Sequence, residues 1–98
     1  MDFKAYFKKY NAQAKINKLA KRYKNRKIAL YGAGQFATAL FEDYDLSKLN
    51  IVAIADKKFE EEGKCEFFNL KCVKPHDLKN IDFDIILISN FDYEFFLS

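Results

Sequence analysis

The sequence predicts an α/β domain built on a parallel sheet, and three observations support that prediction. Two continuous apolar runs, Ile28–Tyr31 and Ile51–Ala55, are typical of strands that are covered on both faces. A third run, Phe83–Ser89, has the same character. A Gly-Ala-Gly turn and a helix-forming segment follow the first run directly. Because parallel strands need a crossover connection, this alternation favours a βαβ arrangement.

Length and composition predict one globular domain with a charged front segment. The 98 residues are enough for a single core, and an apolar content of 50% with 17% aromatic residues argues against disorder. The net charge of +3 conceals an asymmetry. Residues 1–27 carry ten Lys or Arg and one acid, whereas residues 28–98 carry seven Lys and thirteen acids. A basic N-terminal segment is therefore attached to an acidic body.

The segment from Asp2 to Lys24 is expected to form one amphipathic helix, with Asp2 as its N-cap. Its apolar face follows a helical spacing, beginning with Phe3, Phe7, Tyr10 and Ala14. Lysines occupy most of the other side, and the main interpretation is a solvated basic face within an N-terminal unit of residues 1–26. Two alternatives stay open, a patch for nucleic acid or an anionic membrane and a contact with an acidic partner. Nucleic acid is not the expected partner, because no recognised binding motif accompanies the lysines.

The turn after the first strand carries the strongest functional pattern. Gly32, Gly34 and Ala37 match G-x-G-x-x-A, a dinucleotide-binding fingerprint. The first glycine permits a tight turn, the second lets backbone approach a phosphate, and the alanine allows close packing of helix on strand. Amide groups at the start of the following helix would face a diphosphate. The candidate binding residues of this turn are Gly32, Ala33, Gly34, Gln35 and Phe36.

Asp56 follows the second strand and lies 22 positions after Gly34. This is near the spacing of about 20 residues seen for the acid that binds ribose hydroxyls in dinucleotide-binding folds. A carboxylate there favours NAD over NADP, although Lys57 and Lys58 would weaken that preference. We include Asp56 and Lys57 among the candidate ligand residues. The alternative is that Asp56 only caps the loop after the strand.

The remaining segments complete the expected sheet. A short strand within Leu70–Val73 brings the number of strands to four, in the order 3-2-1-4. Ser89 and Asn90 stand at the carboxyl end of the last strand. Ligands of open parallel sheets bind beyond these ends, so both residues are candidates for hydrogen bonds to a ribose or a phosphate. An ordinary turn after the strand is the alternative.

Other reactive residue types do not assemble into a catalytic pattern. Cys65 and Cys72 are expected to be reduced and packed, and His76 is expected in an exposed turn. The consecutive carboxylates Glu60–Glu62 cannot converge on one ion, so no metal site is predicted. No secretion signal and no apolar run of membrane-spanning length is seen, which leads us to expect a cytoplasmic protein.

Four stretches together resemble a known group of domains: Ile28–Leu40, Ile51–Lys57, Val73–Leu78 and Asp84–Asn90. They are similar to the Rossmann-like domains of bacterial surface-polysaccharide and sugar-modifying proteins. These include the N-terminal domains of polysaccharide-biosynthesis epimerases/dehydratases and of sugar acyltransferases, and the C-terminal domain of sugar C-methyltransferases. The resemblance covers roughly residues 27–92. It implies nucleotide, dinucleotide or nucleotide-sugar binding at Gly32, Ala33, Gly34, Gln35 and Asp56.

The chain also departs from that group. Its short-chain epimerases and dehydrogenases use a Tyr-x-x-x-Lys pair, and no such pair follows the last strand here. The substrate-binding half is missing as well. We therefore expect no catalysis by this chain alone, and a function as part of a larger protein or as a homodimer. The aromatic residues Phe91, Tyr93, Phe95 and Phe96 would suit such an interface.

The sequence thus predicts a three-layer Rossmann-like domain over residues 27–98, behind a basic amphipathic helix. Its expected function is binding of a nucleotide, NAD or a nucleotide sugar, in sugar or cell-surface polysaccharide metabolism. The alternative is a non-catalytic interaction or oligomerisation module with a degenerate ligand site. The Gly32, Gly34 and Asp56 pattern favours the first, because an interaction module has no need of it.

Overall fold

A computed structural model describes residues 3–60 and 66–88 of the chain. In chain order the elements are α1 Phe3–Lys9, α2 Ala12–Arg22, β1 Ile28–Tyr31, α3 Gln35–Asp43, β2 Ile51–Ala55, a first 3-10 helix Lys57–Glu60, β3 Cys72–Val73, a second 3-10 helix Pro75–Asn80 and β4 Ile85–Ile88. The predicted α/β class is confirmed.

The four strands form one parallel sheet in the order β3-β2-β1-β4, as predicted. At its centre, Leu30 of β1 is paired with Ile54 of β2 and with Leu87 of β4. The third strand is only the two residues Cys72–Val73, shorter than the predicted Leu70–Val73. Because β1 lies between β2 and β4, the turn that follows it emerges near the middle of the sheet edge.

The two faces of the sheet are covered unequally. One face packs against α1, α2 and α3, and its fully buried large side chains are Phe7, Ile16, Ile28, Leu30, Leu40 and Ile54. The opposite face has a smaller core of Ala29, Ala55, Val73 and Leu78, the last from the second 3-10 helix. The main hydrophobic core is therefore on the α-helical side.

The N-terminal segment is two helices and not the single predicted helix. The break is at Asn11, which adopts a left-handed conformation with φ 51° and ψ 64°. Asparagine tolerates this region better than most residues. The turn changes the direction of the chain, so that both Phe7 of α1 and Ile16 of α2 reach the core. The expected apolar face is present, but the turn at Asn11 divides it between two helices, and both helices pack against the core.

Side-chain hydrogen bonds attach the N-terminal helices and β1 to the body. The Gln13 side-chain amide donates to the Asp45 carbonyl oxygen at 2.9 Å and accepts from the Asp45 N–H at 2.9 Å. At the start of β1, the Lys27 N–H donates to the Asp84 carboxylate at 2.8 Å, and the Lys27 ammonium pairs with Asp82. Residues far apart in sequence thus hold α2 and β1 in place.

Aromatic rings fill much of the space between α1 and α3. Phe7 and Phe36 meet edge to face with ring centres 5.2 Å apart, and Phe7 meets Tyr44 in the same way at 5.6 Å. Phe3 adds another edge-to-face contact with Phe36 at 5.9 Å. Such pairs contribute roughly 0.5–1.5 kcal/mol beyond their buried area. The many phenylalanines of the sequence therefore serve the core.

The prediction of a reduced thiol was wrong for Cys72, which is disulfide-bonded, whereas its side chain packs against the core as expected. Cys65, the other cysteine of the chain, lies outside the described residues. Disulfides persist mainly in oxidising compartments, so the cysteines do not support the predicted cytoplasmic location, which stays a prediction. Within residues 3–60 and 66–88, no helix is long and apolar enough to cross a membrane.

Candidate functional site

The turn between β1 and α3 requires a glycine at its first position. Gly32 has φ 114°, a conformation that residues with a Cβ adopt only under strain. Its N–H donates to the Ala55 carbonyl oxygen at 2.8 Å, which extends the pairing between β1 and β2. Ala33 follows and is completely buried. The predicted role of Gly32 in a tight turn agrees with this geometry.

Gly34 has a different status, because the chain itself does not need a glycine there. It is the N-cap of α3, with φ −89° and ψ −158°, which is ordinary extended backbone. A Cβ built on Gly34 would meet no atom of the described residues within 4 Å. No side chain caps the N-terminus of α3. The space in front of this helix end is therefore open to a group that approaches from outside.

Two side chains hold the backbone of Ala33. The Asp56 Oδ2 atom accepts the Ala33 N–H at 2.7 Å, and its Oδ1 atom accepts the Lys58 N–H at 3.0 Å. The Lys58 ammonium group donates to the Ala33 carbonyl oxygen. Hydrogen bonds to charged groups are stronger than neutral ones, so this arrangement stabilises the turn in one conformation. Asp56 at the end of β2 thus has a structural task within the protein.

Lys58 was missed by the sequence analysis, which selected Lys57. Lys57 is exposed, whereas Lys58 is half-buried. The Lys58 ammonium lies 5.6 Å from the ring centre of Phe59 and 5.7 Å from that of Phe67. Cation–π attraction of this kind orients the side chain towards the turn. The only signal in the sequence was a pair of adjacent lysines after Asp56. This pair does not indicate which lysine is directed towards the glycine turn.

An open cleft of about 470 Å³ begins at this turn and runs along α3, and we call it the turn cleft. Its polar lining comes from Gly34, Gln35, Thr38, Glu42 and Lys58. Phe3 of α1 contributes one apolar wall. The positive end of the helix dipole and the Lys58 ammonium lie at one end, and the Glu42 carboxylate lies farther along the helix. The cleft therefore has opposite charges at its two ends.

The other predicted site residues are placed as follows. Gln35 is exposed and lines the turn cleft. Phe36 is only 3% exposed and its ring packs among the aromatic rings of α1, so only its backbone faces the helix end. Asp56 binds the backbone N–H of Ala33 in the turn and does not line the cleft. Ser89 and Asn90 lie outside the described residues.

The described residues do not form a group of side chains that could bind a metal ion. Among residues 3–60 and 66–88, no three His, Cys, Asp or Glu side chains converge. His76 is exposed in the second 3-10 helix. The turn cleft combines amide groups, one ammonium, one hydroxyl and one carboxylate. Such a set is suited to binding an anion and hydroxyl groups.

Comparison with known proteins identifies a family by one match. A family model described as C2185-like, N-terminal, matches residues 24–96 of the chain. The match includes all four strands, the glycine turn and both 3-10 helices, and it begins after α2. No curated protein and no solved structure matches the chain.

Proposed function

The chain belongs to the C2185-like, N-terminal family, and we propose that it binds a phosphate-bearing nucleotide in the turn cleft. One observation supports this proposal most. At Gly34 a missing Cβ leaves open space directly in front of an uncapped helix N-terminus. Backbone N–H groups and the helix dipole at such a position attract an anion, and a phosphate is the usual one. The Lys58 ammonium adds a full positive charge beside it.

The far end of the cleft supports a nucleotide over a bare phosphate. Glu42 lies seven residues after Gln35 on α3, which corresponds to about 10 Å along the helix. A carboxylate accepts hydrogen bonds from hydroxyl groups, and the Thr38 hydroxyl lies between the two ends. A ligand with phosphate at one end and sugar hydroxyls at the other matches this order. Nucleotides and nucleotide sugars have that composition.

NAD is the first candidate, and a nucleotide sugar is the second. Each Asp56 carboxylate oxygen accepts one N–H from the protein and can accept a further hydrogen bond. Because Asp56 does not line the turn cleft, the ribose contact that the sequence predicts would need a ligand that extends past Ala33. A link to sugar or cell-surface polysaccharide metabolism rests only on the sequence resemblance. Ser89 and Asn90 remain proposed ligand contacts. A cytoplasmic location is also part of the proposal.

We assign this chain a binding role and no catalytic group. The described residues of the turn cleft include no nucleophile beside a general base. In this proposal the ligand is held here, and the chemistry comes from another part of a larger protein or from a partner.

A ligand panel with two neighbouring lysine variants tests the proposal. Thermal unfolding is measured with NAD, NADP, ADP and a nucleotide sugar, for the unmodified protein, Lys58→Gln and Lys57→Gln. Both substitutions remove one positive charge, but only Lys58 contacts Ala33 and lines the cleft. A ligand at about 100 times its Kd adds roughly 2.7 kcal/mol, which raises the midpoint by about 10 °C or more in a domain of this size.

We expect one ligand of the panel to stabilise the protein, Lys58→Gln to weaken its affinity and Lys57→Gln to leave it within about twofold. The Lys58 loss is expected to be on the order of tenfold, since a charged hydrogen bond contributes about 1.5 kcal/mol or more. No shift with any ligand, in a protein that unfolds cooperatively, would sink the proposal. An equal loss in both variants would show that only overall charge matters.

A second candidate function is homodimerisation through β4, and the exposure of this strand favours it. Ile86 and Ile88 are 44% and 45% exposed on the face opposite the α-helices. In the described sheet, β4 is also an edge strand. Exposed apolar side chains on an unpaired edge are typical of a contact surface. Sedimentation of the unmodified protein and of Ile88→Lys at several concentrations tests this, with Lys71→Gln as a surface control. A monomer throughout the series would refute it.

A further inference from the structure

A second cleft, distinct from the turn cleft, is lined by lysines from two separate segments. It has a volume of about 610 Å³, and we call it the lysine cleft. Lys18 and Lys21 come from α2, and Lys24 comes from the turn after it. Lys48 comes from the connection between α3 and β2 and supplies the opposite wall. The other lining residues are small or neutral, and none of them is acidic.

The lysine cleft lies at the opposite end of the sheet from the glycine turn. Lys24 precedes the start of β1 and Lys48 precedes the start of β2, whereas Gly32 follows the end of β1. The strands are parallel, so these positions belong to opposite edges. Strands of four or five residues separate the two edges by about 15 Å. The two clefts therefore cannot share one small ligand.

The lysines of this cleft have no ion-pair partner in the described part of the chain. None of the four ammonium groups forms an ion pair or hydrogen bond with a residue of 3–60 or 66–88. Asp45 lies near Lys48, but it is already hydrogen-bonded to Ser47. Those bonds, helped by the Lys48 charge, hold the pKa of Asp45 below its ordinary value. Among the described residues, an added anion would find four lysines around one concave space with no ion pair or hydrogen bond of their own.

Ordinary helix electrostatics account for only part of this cluster. Lys21 in the last turn of α2 interacts favourably with the negative end of the helix dipole. Lys48 belongs to another segment, and the dipole of α2 does not explain why it faces the same cleft. Like charges that share a concave space repel one another in the absence of a counter-charge. A bound anion would remove that repulsion.

We propose that the lysine cleft binds a small molecule that carries two or three linked phosphates. Its volume lies within the roughly 300–1,000 Å³ typical of small-molecule sites. Lys18 and Lys21 are about 4.5 Å apart along the axis of α2, and Lys48 faces them, so the charges surround a compact anion. A single phosphate would use only part of them. A duplex or an extended chain needs a longer continuous surface than this one concavity.

The experiment compares inorganic anions of different length by titration calorimetry at low ionic strength. The probes are orthophosphate, pyrophosphate and tripolyphosphate, with a short single-stranded RNA and a poly-glutamate peptide as competing classes. The cleft variant is Lys21→Gln/Lys48→Gln. Its matched control is Lys8→Gln/Lys79→Gln, which removes the same charge from α1 and the second 3-10 helix, away from the cleft. A third variant, Gly34→Ser, alters only the turn cleft.

We expect tripolyphosphate to bind at least about tenfold more tightly than orthophosphate. The cleft variant should lose on the order of tenfold, since each exposed ion pair contributes up to about fivefold in affinity. The control variant should stay within about twofold. Without anion, the cleft variant should unfold at the same temperature or slightly higher, because repulsion among the lysines is relieved. Gly34→Ser should bind tripolyphosphate normally.

Four outcomes would overturn the assignment. Equal binding of orthophosphate and tripolyphosphate would show that no multivalent site exists. An equal loss of affinity in the control variant would show that only the overall charge of the protein matters. Tighter binding of the RNA or the peptide would mean a different class of partner. Loss of binding in Gly34→Ser alone would move the anion to the turn cleft, which would refute this inference and support the nucleotide proposal.

Discussion

Replacing Gly34 by serine should raise stability and lower ligand affinity in the same protein. The backbone of Gly34 is extended and a Cβ there has open space, so serine fits without strain. Serine at an N-cap accepts a backbone N–H of the first helical turn, and α3 has no such cap. The same N–H groups are those that a phosphate would use in our proposal. The substitution therefore exchanges a ligand contact for an internal one.

The magnitude follows from two contributions. Serine in place of glycine at an N-cap adds a few tenths of a kcal/mol, and the smaller conformational freedom of the unfolded chain adds about 0.4–1 kcal/mol. The sum, about 0.6–1.4 kcal/mol, raises the unfolding midpoint by roughly 3–7 °C in a chain of this length. Ligand affinity should fall by at least about tenfold, which is 1.4 kcal/mol.

Gly32→Ala is the matched comparison at the other glycine of the turn. With φ 114° at this position, a Cβ introduces strain of about 1–3 kcal/mol. Differential scanning calorimetry and ligand titration on both variants provide the assay. A destabilised Gly34→Ser would refute the inference that the fold does not need this glycine. A stabilised Gly34→Ser with full affinity would refute the approach of a phosphate to α3.

Two further predictions concern the turn and the N-terminal helices. Asp56→Asn should cost about 1–3 kcal/mol in urea unfolding, because one of the two N–H donors held by the carboxylate loses its acceptor. Asp43→Asn at the C-terminus of α3 is its control and should be neutral or slightly stabilising, so equal losses would count against the Asp56 contacts. Asn11→Ala should destabilise by about 1 kcal/mol and Asn11→Gly should not, because φ is 51° there. Equal stability of these two variants, measured by the same method, would argue for an uninterrupted helix.

Local patterns were sufficient for the sheet and for the turn. Continuous apolar runs predicted β1 and β2, and the Rossmann-like pattern around the glycine turn predicted the parallel order 3-2-1-4. The requirement for glycine at position 32 was also readable, since a tight strand-to-helix turn needs a positive φ. These features depend on neighbouring residues, so a sequence contains their signals directly.

The site was only partly predictable, as Asp56 and the adjacent lysines show. The spacing from Gly34 to Asp56 suggested a ribose contact, but the carboxylate accepts the Ala33 N–H, 23 residues away. Lys58, and not Lys57, lines the turn cleft because the rings of Phe59 and Phe67 orient it. Which of two adjacent lysines lines the cleft depends on the positions of distant side chains in the folded protein.

The sequence by itself determined the α/β class and the strand order, because apolar periodicity and turn chemistry act over a few residues. It also predicted where a phosphate would approach, and this stays a prediction. Only the tertiary structure decided that the N-terminal segment breaks at Asn11, that Asp56 supports the turn from within, and that Lys48 faces the lysines of α2. Each of these results requires segments separated by many residues to meet. Contacts of this kind depend on the packing of the whole chain, and local sequence patterns do not predict them.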